Sequence, residues 1–227
     1  DGRQYSDSRS LVVPLYSGGR LQGVLNLSCS QTTRETVVGV PLESLFTFIA
    51  DALRNARIYE RARTQARVDP LTGLYNARWV VETLAKEVGR AARGNTPLAL
   101  IHADVDKLKQ VNDSAGHAAG DCLLRFVSER ITEALRQSDS AARVGGDEFV
   151  VLLPATELAG AQFVAERILA SLRNGRLEYR GVALPSQASL GIAQWQPGWT
   201  PEQLIEAADR AMYTAKDRGR NQIAVWD

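Results

Sequence analysis

The run Leu98-Ala99-Leu100-Ile101-His102-Ala103 leads directly into Asp104-Val105-Asp106. An apolar run of this length, without alternation, reads as a strand buried in a packed interior, so the chain must supply layers to cover it. The periods that follow supply them. Asp121 to Gln137 is an amphipathic helix with Leu124, Val127, Ile131 and Leu135 on one face, Glu148 to Leu153 is strand-like, and Glu157 to Arg173 is helical. Gln187 to Trp195 then reads as strand, Pro201 to Asp217 as helix and Ile223 to Trp226 as a short closing strand. Hairpins mixed with crossover helices predict an α/β (α+β) layer fold, a central mixed sheet flanked by helices.

The first forty residues have a different period. Leu11 to Tyr16 and Leu21 to Leu27 alternate as strands about the turn Ser17-Gly18-Gly19-Arg20, which predicts a β-hairpin. From Pro41 the pattern turns helical, with few breakers until Pro70. About 27 residues at 1.5 Å each make a rod of roughly 40 Å. Leu42, Leu45, Ile49, Ala52, Ala56, Tyr59, Arg63 and Ala66 step by alternating threes and fours, the spacing of a coiled-coil seam, though the second half is weakly apolar. The same stripe fits a helix packed on its own domain. A chain of 227 residues thus divides into one full domain and part of another.

An apolar share of 44% and a charged share of 23% are those of an ordinary globular protein with a real core. A net charge of +1 offers no general attraction to nucleic acid or to an anionic membrane, so any phosphate binding must come from local groups. Cys29 and Cys122 stand far apart without a His or Cys cluster, which argues against a disulfide framework or a zinc site and favours a cytoplasmic setting. No stretch nears the ~20 apolar residues of a membrane span. The chain begins at Asp1 rather than Met, as a piece of a longer protein would.

Four segments could carry chemistry. In a strand, residues two apart share a face, so Asp104 and Asp106 could project together and suit a hard cation such as magnesium, although Asp-x-Asp also occurs in solvated loops. Arg143-Val144-Gly145-Gly146-Asp147-Glu148-Phe149 sets two glycines and two acids between β-type runs; the glycines allow positive φ and close approach of a ligand, while an ordinary acidic hairpin tip looks the same. Asn112 to Asp121 is a turn-rich stretch before a helix, whose amide and carboxylate could cap that helix or read guanine. Lys216-Asp217-Arg218-Gly219-Arg220-Asn221 closes the last helix with cations that complement its dipole or bind a triphosphate.

Together these segments resemble the GGDEF family of diguanylate cyclases over about Asp69 to Asp227. The resemblance also rests on Asp69-Pro70-Leu71-Thr72-Gly73-Leu74-Tyr75-Asn76, on Ser189-Leu190-Gly191-Ile192-Ala193 and on Ala211-Met212-Tyr213-Thr214-Ala215-Lys216. It implies a sheet like the palm of nucleotidyl cyclases and polymerases, and condensation of two GTP into cyclic di-GMP across a homodimer. It further implies that Asp104, Asp147 and the Val105 carbonyl hold magnesium, or manganese in its place, and that Glu148 supports the metal or activates the attacking hydroxyl. By the same resemblance Asn112 and Asp121 read guanine, Lys109, Lys216 and Arg220 bind the triphosphate, backbone N–H groups near Lys107 and Leu108 assist, and Gly145 and Gly146 line the substrate. Leu108 stands where the family usually has phenylalanine and Ala77 where arginine is common; neither removes a group with a role. Asp121 favours GTP over ATP.

Arg136-Gln137-Ser138-Asp139, whose arginine lies nine residues before Gly145, stands at the family's product-inhibition position, with Arg143 nearby. The expected partners are therefore GTP, cyclic di-GMP as product and inhibitor, and a second copy of the chain, with no nucleic acid and no membrane contact. Residues 1–40 resemble the last strands of a GAF sensory domain, 41–68 its exit helix, and 69–227 the cyclase domain. A catalytically silent GGDEF domain serving as a receptor for cyclic di-GMP or GTP is the competing reading; the intact acid and cation set favours the enzyme.

Overall fold

The computed structural model describes residues 4–7, 10–28, 42–65 and 67–227, which fall in two units, Asp1–Ala66 and Arg67–Asp227. In the first, strands β1 (Gln4–Asp7), β2 (Ser10–Ser17) and β3 (Arg20–Ser28) form an antiparallel sheet in that order. The β2–β3 turn is made by Gly18 and Gly19 at φ 57° and 73°, the left-handed pair that matches strand twist in a two-residue hairpin. Helix α1 (Leu42–Gln65) packs on β2 and β3. Val13, Leu15 and Ser17 face inward with Ala50, and the Ser17 hydroxyl donates to Asp51 at 2.5 Å.

Only part of the expected helix stripe is used there. Of that stripe Ile49 is half-buried whereas Leu45, Ala52 and Ala56 remain exposed; outside it, Ala50 is buried and Phe48 exposed. Cys29, Pro41 and Ala66 lie outside the described residues.

The second unit opens with β4 (Tyr75–Asn76) and α2 (Ala77–Gly94), then β5 (Leu98–Val105), α3 (Leu108–Ala115) and α4 (His117–Glu133). There follow β6 (Ser140–Arg143), β7 (Glu148–Pro154), α5 (Leu158–Asn174), the small hairpin β8 (Leu177–Tyr179) and β9 (Val182–Leu184), β10 (Ala188–Gln194), α6 (Pro201–Asp217) and β11 (Ile223–Val225). Six strands form one mixed sheet in the order β11-β10-β5-β7-β6-β4, parallel at β11–β10 and β4–β6 and antiparallel elsewhere.

Strand β5 is buried along its whole length because both of its faces are covered. Ala99, Ile101, Ala103 and Val105 pack with Leu123, Val127 and Ile131 of α4 and Val164 and Ile168 of α5. Leu98 and Leu100 point the other way, into Val80, Leu84 and Val88 of α2 and Leu204 and Ala208 of α6. The period of two thus sorts one strand between two cores.

Two expectations change. The segment 112–121 is not a turn: α3 runs to Ala115, Gly116 at φ 86° breaks the chain, and α4 starts at His117, ahead of the expected Asp121. Leu108 and Val111 pin α3 to the core and override the turn-forming Asn-Asp-Ser composition. Helix α2, absent from the sequence reading, is capped by the Asn76 side chain accepting from the Trp79 N–H at 3.2 Å.

Candidate active site

The site lies where β5 ends and β7 begins. Asp104 is directly opposite Glu148 in the β5–β7 register, and the Val105 N–H donates to the Asp147 carbonyl at 2.9 Å. Cross-strand neighbours share a face, so the two acid segments of the sequence meet at the ends of two central strands. The loop between β6 and β7 is closed by the Val144 N–H donating to the Glu148 carbonyl at 2.9 Å.

The glycines of that loop serve differently from the expectation, since neither adopts positive φ. A Cβ on Gly145 would stand 2.7 Å from the Glu148 carboxylate, so the missing side chain makes room for Glu148. A Cβ on Gly146 would meet nothing within 4 Å, leaving open space beside the backbone.

Asp104 and Asp106 do not act as a pair. The strand ends at Val105, and beyond it Asp106 has buried partners of its own. Asp106, 2% exposed, accepts from the Ser189 hydroxyl and from the Asn221 N–H, both at 2.9 Å. Asp104 instead holds Lys216 Nζ at 2.8 Å. Burial, with the charges of Asp147 and Asp106, pushes the Asp104 carboxyl up to about 6 against the pull of Lys216. Two residues back on the same face, His102 is buried with Nδ1 3.3 Å from Asp209 Oδ1. Burial holds its pKa below the usual histidine range against the pull of Asp209 and Glu148.

Among the described residues no group of three or more His, Cys, Asp or Glu is gathered around a metal position. What the site offers is the buried Asp104 carboxylate, its pKa raised chiefly by burial, with Asp147 close enough to add to that rise. That donor set fits a hard cation that takes one or two protein carboxylates and completes its shell with water and phosphate.

Asn112 in α3 and Asp121 in α4 are brought near each other by a close approach: a Cβ on Gly120 would lie 2.0 Å from Asn112 Oδ1. Lys107 and Lys109 are exposed and Leu108 is half-buried against the core. The Lys107 side chain makes no capping hydrogen bond to the start of α3. Arg220 extends from the loop after α6, its side chain 53% exposed and its Nε 3.9 Å from Asp106.

Arg136 and Asp139 close a turn in which the Asp139 carboxylate accepts from the Arg136 N–H at 3.0 Å, and the Arg136 side chain is exposed. Arg143 is already engaged: it donates to the Gly146 carbonyl at 2.7 Å and stands 3.4 Å from Asp69. Burial raises the Asp69 pKa, but the Thr72 hydroxyl and N–H and the Arg143 charge outweigh it and hold the carboxyl below its ordinary value. Arg143 therefore ties the opening Asp69–Leu74 turn to the acidic loop. Sequence reasoning missed this tie, along with Gly120, Asp106 as an internal acceptor and His102.

Residues 66–222 match the sequence family described as diguanylate cyclase, GGDEF domain. The chain is similar to the diguanylate cyclase DgcP of Pseudomonas aeruginosa, 35% identical over 98% of this chain and 34% of that protein. It is 37% identical to the diguanylate cyclase DosC of Escherichia coli K12 over 74% of this chain and 36% of that protein. It thus spans about a third of the length of these curated relatives. Among solved structures it resembles the GGDEF domain of DgcB from Caulobacter crescentus in complex with c-di-GMP, with a TM-score of 0.68 and 30% identity over 71% of this chain and 96% of that one. It also resembles the diguanylate cyclase SiaD of Pseudomonas aeruginosa in complex with its activator SiaC, with a TM-score of 0.68 and 33% identity over 86% of this chain and 78% of that one. These neighbours share the mixed sheet flanked by helices.

Proposed function

The chain belongs to the diguanylate cyclase GGDEF-domain family, and from that premise we propose that it condenses two GTP molecules into cyclic di-GMP and two pyrophosphates across a homodimer. The carrying observation is the junction of Asp104, Asp147 and Glu148 where β5 ends and β7 begins, with Lys216 on Asp104. Each 3′-hydroxyl attacks the α-phosphorus of the facing GTP, a P–O bond forms, the α–β bridge breaks and pyrophosphate leaves. Magnesium, or manganese, held by Asp104, Asp147 and the Val105 carbonyl, would polarise the α-phosphate and lower the pKa of the attacking hydroxyl.

Glu148 supports that cation or accepts the hydroxyl proton. Asn112 and Asp121 hydrogen-bond guanine, whose ring N–H and amine are donors matched to a carboxylate. Lys109, Lys216 and Arg220 offset the charge that gathers on the leaving pyrophosphate, aided by N–H groups at Lys107 and Leu108. Gly145 and Gly146 leave room for substrate beside the backbone. Asp104 keeps Lys216 beside the phosphate site before substrate arrives.

Because one copy presents one GTP, the second copy completes the site, and the exposed Leu45, Phe48, Ala52 and Ala56 on α1 are suited to pair two chains. The first unit reads as the end of a GAF sensory domain, a reading supported by its hairpin and by Tyr16, Leu21 and Val24 left exposed on it, as the edge of a larger sensor would be. GTP supply sets the reaction in the cytoplasm. Product inhibition at Arg136 and Asp139 is supported by the exposed Arg136 fork, which suits a phosphate or guanine edge; Arg143, held by Asp69 and Gly146, would reach such a ligand only by leaving them. Incubating the purified chain with GTP and magnesium and resolving the products tests the activity. Cyclic di-GMP is expected; none from a demonstrably dimeric sample would favour a receptor instead.

A further inference from the structure

The chain leaves α6 through three successive left-handed residues, Gly219 at φ 115°, Arg220 at 65° and Asn221 at 49°. An L-residue rarely adopts this conformation, and it persists where the surroundings impose it. Here two groups on different elements do so. From inside, Asp106 accepts the Asn221 N–H at 2.9 Å and is itself fixed by the fully buried Ser189. From outside, Arg173, at the C-terminal end of α5, donates from one terminal nitrogen to the Asn221 carbonyl and from Nε to Asn221 Oδ1 at 3.3 Å.

Asn221 is thus gripped at its N–H, its carbonyl and its side chain. The residue before it, Arg220, donates its backbone N–H to the Ala215 carbonyl at 3.1 Å, which ties the turn back onto α6. Among the described residues its side chain approaches Asp106 through Nε at 3.9 Å, and the side chain is 53% exposed. If Asn221 relaxed toward negative φ, the direction of Arg220 would change with it, because the two residues share the intervening peptide plane.

We propose that Arg173 is a positioning residue: with Asp106 as the inner jaw, it clamps Asn221 in the left-handed form and so aims Arg220 at the substrate triphosphate. This rests on the reading of Arg220 as a phosphate ligand. Arg173 lies outside every motif that carries the resemblance and touches no group assigned to substrate. Because it is exposed, its contribution to global stability is small, and its loss is read in GTP binding rather than in folding.

The test is steady-state kinetics with GTP on dimeric wild type, Arg173→Ala, Arg220→Ala and the double variant, with a thermal melt of each. Arg220→Ala should raise KM for GTP about tenfold or more. Arg173→Ala should raise KM roughly 3- to 10-fold while kcat changes little and Tm moves by less than about 2 °C. Adding Arg173→Ala to Arg220→Ala should change nothing further, since the clamp acts only through the residue already removed. An unchanged KM in Arg173→Ala beside a raised one in Arg220→Ala overturns the clamp, as do penalties that multiply in the double variant. An unchanged KM in Arg220→Ala instead overturns the phosphate reading of that residue, and the inference falls with it.

Discussion

Asn112 Oδ1 would lie 2.0 Å from a methyl group at position 120, far inside contact distance, yet the atom that must yield is the tip of a flexible side chain. Gly120→Ala should therefore spare the fold and displace the amide proposed to read guanine. KM for GTP should rise about tenfold, the worth of one lost directional hydrogen bond to a base, with Tm nearly unchanged; an unaltered KM would remove Asn112 from the guanine site. Asp104 gives a second prediction. Its carboxyl, pushed up to about 6 in the fold from an ordinary 3.8, keeps a proton that the unfolded chain has already released between those values. The metal-free protein should accordingly lose stability as pH rises through that window. A divalent cation must displace the same proton, so magnesium affinity, titrated with a non-hydrolysable GTP analogue, should fall about tenfold per unit below pH 6. Equal magnesium affinity at pH 5 and pH 7.5 would exclude Asp104 as a ligand.

Helix α6 lies very close to the sheet at Gly191, where a Cβ would stand 2.0 Å from the Met212 nitrogen and 2.1 Å from the Ala208 carbonyl oxygen. Both are backbone atoms, so the helix itself would have to move. Gly191→Ala should cost about 1–3 kcal/mol, seen as a fall in Tm of roughly 3–10 °C, and should weaken GTP binding because α6 carries Lys216 and leads to Arg220. Unchanged melting and kinetics would mean that the helix is held elsewhere. The helix itself was legible, since Thr200-Pro201-Glu202-Gln203 forms a capping box with proline in the first turn and Pro201–Asp217 runs as expected. Strands β5 and β7 were legible for the same kind of reason: a local pattern agreed with the burial that the fold imposes. Helix α2 also carried a signal, Val80, Leu84, Val88 and Ala91 on one face, though it had not been read. Helix α3 carried a short one, Leu108, Val111 and Ala115 at helical spacing, set among the turn-forming Asn112, Asp113 and Ser114. At the site, the carboxylates and cations stood in recognisable order, but the division of labour between Asp104 and Asp106 depended on where β5 stops, and the Arg143–Asp69 and Arg173–Asn221 ties join segments far apart in sequence.

In the proposed condensation two GTP molecules meet face to face, so turnover would depend on how two copies are phased as well as on the chemistry of each. The exposed stripe on α1 steps from Leu45 to Phe48, Ala52 and Ala56 and would set that phase if it is the seam. A seven-residue insertion between Ala56 and Arg57 restores a heptad seam to nearly its original face, whereas a two-residue insertion turns everything beyond it by roughly 200° at 3.6 residues per turn. The expected result is that the seven-residue variant keeps most of the cyclic di-GMP production of the parent, while the two-residue variant loses about tenfold or more through misoriented substrates. Sedimentation of both variants distinguishes lost phase from lost pairing. The same measurement on Arg136→Ala should find a dimer whose turnover resists added cyclic di-GMP that slows the parent; equal inhibition would move the product site away from Arg136. If all the insertions run at the parent's rate as dimers, α1 does not set the geometry, and the two copies must be aligned by contacts within Arg67–Asp227.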